Sequence, residues 1–244
     1  YFSLFLVVNY NQYVIKGKRK NAMKRKNTLF VFIPIFILLL THNKINAAEF
    51  ISIIDLKCEN LIRPNAIDNT SPHFSWKIKA GKNIKQQLYY EIQVASDSVA
   101  LTKDIADMWK TGKVKSSSSV MIPYKGQKLQ SRSLCYWRVR VWNEKGKVSA
   151  WSSICRFGVG IVSPETIKGS YIGLSAEAGN IESPLLKKKF TITDKNLSFL
   201  HVNSLGYHEV YLNDKKVSDD VLSPAVSQLN KRSLIVTYDI TSYL

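Results

Sequence analysis

From Cys135 to Trp142 apolar and polar positions alternate with a period of two. Cys135, Trp137, Val139 and Val141 fall on one face of a strand, and Tyr136, Arg138, Arg140 and Trp142 fall on the other. The first face suits a core. The second suits arginine stems laid over aromatic rings. Asn143 to Gly146 supply turn residues, and Val148 to Phe157 is expected to return as a second strand. A lone hairpin is not stable in water, so a second sheet must cover Trp137 and its valines.

The same period recurs upstream. Phe50 to Leu56 is strand material, and Arg63 to Pro72 is a connector rich in Pro, Asn and Asp. Phe74, Trp76 and Ile78 share one face, as do Tyr90, Ile92 and Val94, with a turn at Ala80-Gly81-Lys82-Asn83 between them. A short polar excursion leads to Met108-Trp109-Lys110, and Val120 to Tyr124 is expected at a sheet edge because Pro123 lacks a ladder donor. About seven short strands in about a hundred residues predict an immunoglobulin-like or fibronectin type III-like β-sandwich.

After a linker-like stretch from Gly158 to Gly169 the pattern resumes. Leu185 to Thr193 alternates weakly, Leu197 to Val202 is a compact apolar strand, and Leu205-Gly206-Tyr207 opens the next. Val210 and Leu212 run into an Asn213-Asp214-Lys215-Lys216 turn, Leu222-Ser223-Pro224 connects, and Ser233 to Thr237 is a last strand. The fold class is therefore all-β, with a second, jelly-roll-like sandwich whose sheet is unfinished at Leu244. An unfinished sheet leaves an edge unpaired, so the natural protein is expected to be longer.

Charge changes the picture less than its size suggests. The formal net charge is +17, but residues 1–48 hold eight of the 35 Lys and Arg and none of the 18 acids, leaving 27 − 18 = +9 for the rest. That remainder is spread along strands rather than gathered in a stripe, so nucleic acid is not the expected partner. The chain starts at Tyr1, and Met23 is the natural initiator. Lys24, Arg25 and Lys26, an apolar run from Leu29 to Leu40 and the small residues Ala47 and Ala48 read as a secretory signal peptide over residues 23–48. The run is too short for a spanning helix and contains Pro34. The expected organisation is residues 1–48 as upstream residues and signal peptide, 49–160 as the first sandwich and 161–244 as the second. Export to the periplasm or beyond follows from the leader.

Candidate chemistry is sparse. Cys58, Cys135 and Cys155 show no zinc-like spacing, so no metal and no cofactor is expected; Cys135 and Cys155 lie on the two arms of the hairpin, bridged or, as is expected, buried as free thiols. Asp219-Asp220 is an acidic pair in a predicted loop, better suited to a solvated turn than to catalysis. His73, His201 and His208 are scattered without an evident nucleophile. Gly158-Val159-Gly160 is a lone GxG, expected to be linker. Trp76 and Trp137 are expected in the core, while Trp109, Trp142, Trp151 and Tyr207 are the aromatics placed to stack on a pyranose. No catalytic residue is assigned, and the binding residues are unknown at this stage.

The order of several blocks resembles the N-terminal region of bacterial α-L-rhamnosidases. Pro72-His73-Phe74-Ser75-Trp76, Tyr90 to Ser96, Trp109 to Val114 with Tyr124-Lys125-Gly126, and Tyr136 to Trp142 ending in Ser149-Ala150-Trp151-Ser152 carry it in the first unit. Ser183 to Phe190, Leu205-Gly206-Tyr207, Tyr211-Leu212-Asn213, Leu222-Ser223-Pro224 and Thr237 to Thr241 carry it in the second. Cys135 stands where that family often has an aromatic, and Asn213-Asp214 replaces its common Asn-Gly turn. The resemblance implies a secreted inverting glycoside hydrolase acting on terminal α-L-rhamnose, with one carboxylic acid protonating the leaving oxygen and a second activating water. It also implies that both carboxylates sit on an (α/α)6 barrel beyond this segment, which would be inactive by itself. The alternative is a carbohydrate-binding or adhesion protein of tandem sandwiches.

Overall fold

The computed structural model describes residues 50–167, 169–173, 184–191 and 197–244. The expected signal peptide, Ser183, and Ile192 and Thr193 lie outside the described residues. Two sheets face one another in the first unit. One has the order β1 (Ile51–Cys58), β2 (His73–Ala80), β6 (Ile122–Pro123). The other has β4 (Trp109–Lys110), β3 (Gln87–Ala95), β7 (Leu134–Asn143) and β8 (Cys155–Gly158), with β5 (Val114–Lys115) also paired to β3. Pro123 does lie on an edge strand.

The alternation in β7 is realised as read. Cys135, Trp137, Val139 and Val141 are buried, and their antiparallel partners in β3 are Val94 for Trp137, Ile92 for Val139 and Tyr90 for Val141. Across the sandwich Trp137 meets Phe74, with ring centroids 4.4 Å apart. Trp76 instead packs edge-on against Tyr90 at 5.5 Å. Phe74, Trp76, Ile92, Leu129, Val139 and Phe157 complete a dry centre in which aromatic pairs add to the gain from area burial.

Two elements differ from the sequence reading. The polar excursion after β3 contains α1 (Ser98–Thr102), started by Asp97, whose carboxylate accepts from the Ala100 amide at 3.0 Å. The strand expected from Val148 to Phe157 is regular only in β8. Before it the chain still runs along β7, but serine hydroxyls take over part of the ladder. Ser149 N and Ser152 N donate to Val141 O and Val139 O, both at 2.8 Å. In return Ser149 Oγ and Ser152 Oγ accept from Val141 N and Val139 N, both at 3.1 Å. The backbone groups of Val139 and Val141 are thereby paired without a regular partner strand. The turn before it is held by Asn143 Oδ1, which accepts from Lys145 N and Lys147 N, and by Gly146 at φ 77°.

The second unit is smaller. β9 (Phe199–Asn203) pairs antiparallel with β12 (Ile235–Asp239), and β10 (Tyr211–Leu212) pairs with β11 (Lys215–Lys216). The β10–β11 turn has Asn213 at φ 50° and Asp214 at φ 63°, so the Asn-Asp pair adopts the left-handed conformation that a two-residue hairpin demands. Val202, Val210, Leu212, Tyr238 and Ile240 form its core. The described residues 184–191 follow no regular strand. One side of the β9–β12 pair, carrying Leu200, Val202, Val236 and Tyr238, faces that core. The other carries Phe199 and Asp239 to the first unit, where Arg156 of β8 donates to Asp239 Oδ2 at 3.0 Å and to Asn65 Oδ1 at 3.1 Å while its guanidinium lies 5.4 Å from the Phe199 ring.

Candidate functional site

The outer face of the β3–β7 pair carries the densest chemistry. Its polar residues alternate with the core residues, so Tyr89, Glu91 and Gln93 of β3 stand beside Trp142, Arg140 and Arg138 of β7. Lys113 Nζ lies 4.4 Å from the Tyr89 ring and 5.0 Å from Trp142. Arg140 lies 5.2 Å from Trp142 and 4.5 Å from Trp151, and Arg138 lies 4.3 Å from Trp151. Cations and rings thus alternate across the face. The cations are in turn neutralised: Arg140 pairs with the buried Glu91 at 2.6 Å, and Arg138 donates to Gln93 Oε1 and to Asp104 Oδ1 at 2.8 Å. Donation from Gln93 is the main reason the Asp104 carboxyl sits below its usual range, and burial draws the Arg138 guanidinium downward.

This arrangement decides what the candidate aromatics do. Trp142 and Trp151 are both half-buried and already stacked by the protein's own cations, so they close the sheet face rather than offer a bare platform. Trp109 is no outward residue: it lies in β4, near-parallel to Phe74 at 6.3 Å and edge-on to Tyr124 at 5.2 Å. Tyr207 is half-buried in the irregular stretch before β10.

The ionisable groups fall in separate places. Asp219 and Asp220 are exposed. His73 bonds Glu59 at 2.9 Å in the first unit. His201 bonds Thr237 Oγ1 at 2.8 Å, and burial, then the nearby Arg132, lower its pKa. His208 has a nucleophile-type neighbour that the scattered sequence positions did not reveal: Ser204 Oγ is 2.7 Å from its Nδ1. The polarity is wrong for activation. The Ser204 hydroxyl donates to Gly206 O at 2.6 Å, so it can only accept from His208, which therefore carries its proton on Nδ1. Nε2, at 3.0 Å, accepts from the Tyr238 hydroxyl, where a triad would need the ring's other nitrogen held by a carboxylate. The group is a buried structural relay, and burial lowers the His208 pKa.

Gly158-Val159-Gly160 is not a loop but the end of β8 and its continuation. The connector residue Asn65 passes so close that a Cβ on Gly158 would stand 2.0 Å from its carbonyl oxygen. The expectation of a linker therefore fails at Gly158, which ends a strand packed against the connector. The three cysteines are buried free thiols; burial pushes the Cys135 thiol up to about 11 and raises Cys58 further. Among the described residues no cluster of three or more His, Cys, Asp or Glu is placed to hold a metal ion, and no helix is long and apolar enough to cross a membrane. A cleft of about 930 Å³ lies between the units, with Arg132, Ile161, Tyr171, Leu200, His201 and Asn203 in its walls.

The described residues thus form an immunoglobulin-like sandwich followed by a smaller β-unit. Known proteins agree in order and extent. Residues 53–163 match the family model described as a Rha78A-like N-terminal immunoglobulin domain, and residues 195–244 match the α-L-rhamnosidase N-terminal domain. An α-L-rhamnosidase of Formosa agariphila is 33% identical over 74% of this chain, and one of Alteromonas sp. is 33% identical over 76%. Each match spans only 21% of the relative's length. The solved α-L-rhamnosidase from Dictyoglumus thermophilum superposes with a TM-score of 0.70 and 28% identity over 81% of this chain and 24% of its own. The Aspergillus terreus enzyme, 22% identical over 80% of this chain and 22% of its own with a TM-score of 0.59, shares the fold. The chain belongs to the α-L-rhamnosidase family and corresponds to its N-terminal region.

Proposed function

We propose that this chain is the N-terminal, accessory part of a longer secreted α-L-rhamnosidase that removes terminal α-L-rhamnose from glycans or glycosides, with the catalytic (α/α)6 barrel beyond this segment. The observation that carries the reading is the pair of family matches, two N-terminal domain types in the family's order over residues 53–163 and 195–244. The geometry is consistent with a supporting role. An inverting glycosidase needs two carboxyls about 6.5–9.5 Å apart across the scissile bond. The acids with structural roles here are bound to arginine, lysine, histidine or backbone amides, as Glu91, Asp104, Glu59 and Glu144 are. What the module supplies is a scaffold whose acids are engaged in structural pairs.

Two experiments test this. Purified residues 49–244 are expected to leave an aryl α-L-rhamnoside intact, while the polypeptide encoded by the extended reading frame cleaves it with inversion. Turnover by the short form, or none by the long form, overturns the assignment. Secretion rests on the leader-like residues 23–48, and mass spectrometry of the exported protein is expected to find a new N-terminus near Glu49. A product that retains Met23 refutes it.

A further inference from the structure

The stretch between β11 and β12 combines features that an ordinary surface loop does not. Val221, Leu222, Val226 and Leu229 are 80%, 67%, 82% and 48% exposed, four large apolar side chains within nine residues. Single exposed hydrophobics are common, but a run of them marks an interaction site. The loop is also anchored. Pro224 is buried, Ser223 O accepts from His208 N at 2.8 Å, and a turn closes where Lys231 N and Arg232 N donate to Gln228 O. Leu222 itself sits at φ 54°, a conformation that a leucine avoids unless its surroundings impose it. The backbone is held in a costly shape that turns apolar side chains to water.

Charge and length select the occupant. Asp219, Asp220, Lys231 and Arg232 balance one another across this stretch, so it has no basic excess to draw an anionic membrane. Residues 49–244 carry 27 − 18 = +9, which opposes pairing with a second copy. The family relatives have about four-fifths of their length beyond the part this chain matches, since each match covers 21%. We infer that residues 219–229 are the docking surface on which the downstream portion of the same polypeptide packs. This rests on the reading of the chain as part of a longer rhamnosidase, and it assigns the contact that ties the accessory module to the rest.

Hydroxyl-radical footprinting of the 244-residue chain and of the extended polypeptide tests it. Exposed Val99 and Val148 of the first unit serve as internal references. Labelling of Val221, Leu222, Val226 and Leu229 is expected to fall at least fivefold in the extended protein relative to those references. Unchanged labelling in an active extended protein overturns the docking and leaves the family function standing. A stop codon directly after Leu244 overturns both. Labelling that falls with concentration in the 244-residue chain alone makes a second copy the occupant and overturns the inference. The variant Val221→Ser/Val226→Ser is expected to leave the unfolding midpoint of the short chain unchanged while raising protease sensitivity of the junction in the extended one. Equal sensitivity in the extended protein also counts against it.

Discussion

Two residues one face apart on β7 measure what burial is worth here. Trp137 is fully buried against Phe74, whereas Trp142 is half-buried and held by Lys113 and Arg140. Removing a buried indole forfeits its transfer energy and leaves a cavity, about 3–5 kcal/mol. Removing Trp142 forfeits mainly cation–ring contacts of about 0.5–1 kcal/mol each. Urea denaturation is expected to rank Trp137→Ala as much the more damaging; the reverse order would mean the face assignment is wrong. Trp137 Nε1 has no hydrogen-bond partner, so shape rather than hydrogen bonding holds it. His208 gives a pH signature. Its folded pKa lies below the ordinary value of 6.5 because burial penalises the cation. The unfolded chain therefore binds the proton first, and the stability from the neutral ring is complete above about pH 6.5 and lost as pH falls through the folded pKa. Between about pH 6.5 and that lower value the second unit is expected to lose up to about 1.4 kcal/mol per pH unit for each such histidine. His201 shares the direction, so a His208→Gln variant followed by denaturation at pH 7.5 and 5.5 should show a shallower, not absent, acid slope.

At the scale of the element, β7 shows how a strand is completed without a full partner. Ser149 and Ser152 accept from the amides of Val141 and Val139 through their hydroxyls. The period-two pattern placed β7 correctly but did not reveal the break in its partner, because Val148-Ser149-Ala150 still alternates apolar and polar residues. Here local hydroxyl-to-backbone bonding won over ladder formation. Ser149→Ala is expected to leave the Val141 amide without this acceptor and cost about 1–3 kcal/mol, read by thermal or chemical unfolding. A cost within error would show that the amide finds another acceptor. Helix α1 was missed for a related reason: one turn capped by Asp97 is too short to display a 3.6-residue period, although the cap was there to be seen.

For the molecule as a whole, Arg156 is a side chain that, among the described residues, joins the two units. It bonds Asn65 and Asp239 and covers Phe199, 83 residues separating it from Asp239 in the chain. Both partners of the ion pair are mostly withdrawn from water, with side-chain exposures of 18% and 31%. A double-mutant cycle on Arg156→Met and Asp239→Asn is expected to return a coupling of about 0.5–3 kcal/mol, with the second unit unfolding at lower denaturant in either single variant. Additive single effects would mean that the two sheets are joined by something other than this pair.

The sequence by itself determined the strands β1, β2, β3 and β7 of the first sandwich, the inward faces of β2, β3 and β7, the edge role of Pro123, the Asn213–Asp214 hairpin and, through the order of its motifs, the family. These depend on periodicity, on backbone-restricted residues and on short-range turn chemistry, all of which are local. Only the tertiary structure decided that Trp142 and Trp151 are capped by arginines and a lysine, that Trp109 belongs with Phe74, that Gly158 makes room for Asn65 and that Ser204, His208 and Tyr238 form one buried relay. Each of those depends on residues distant in the chain meeting across a sheet or between sheets, and nothing in local spacing encodes which partner arrives.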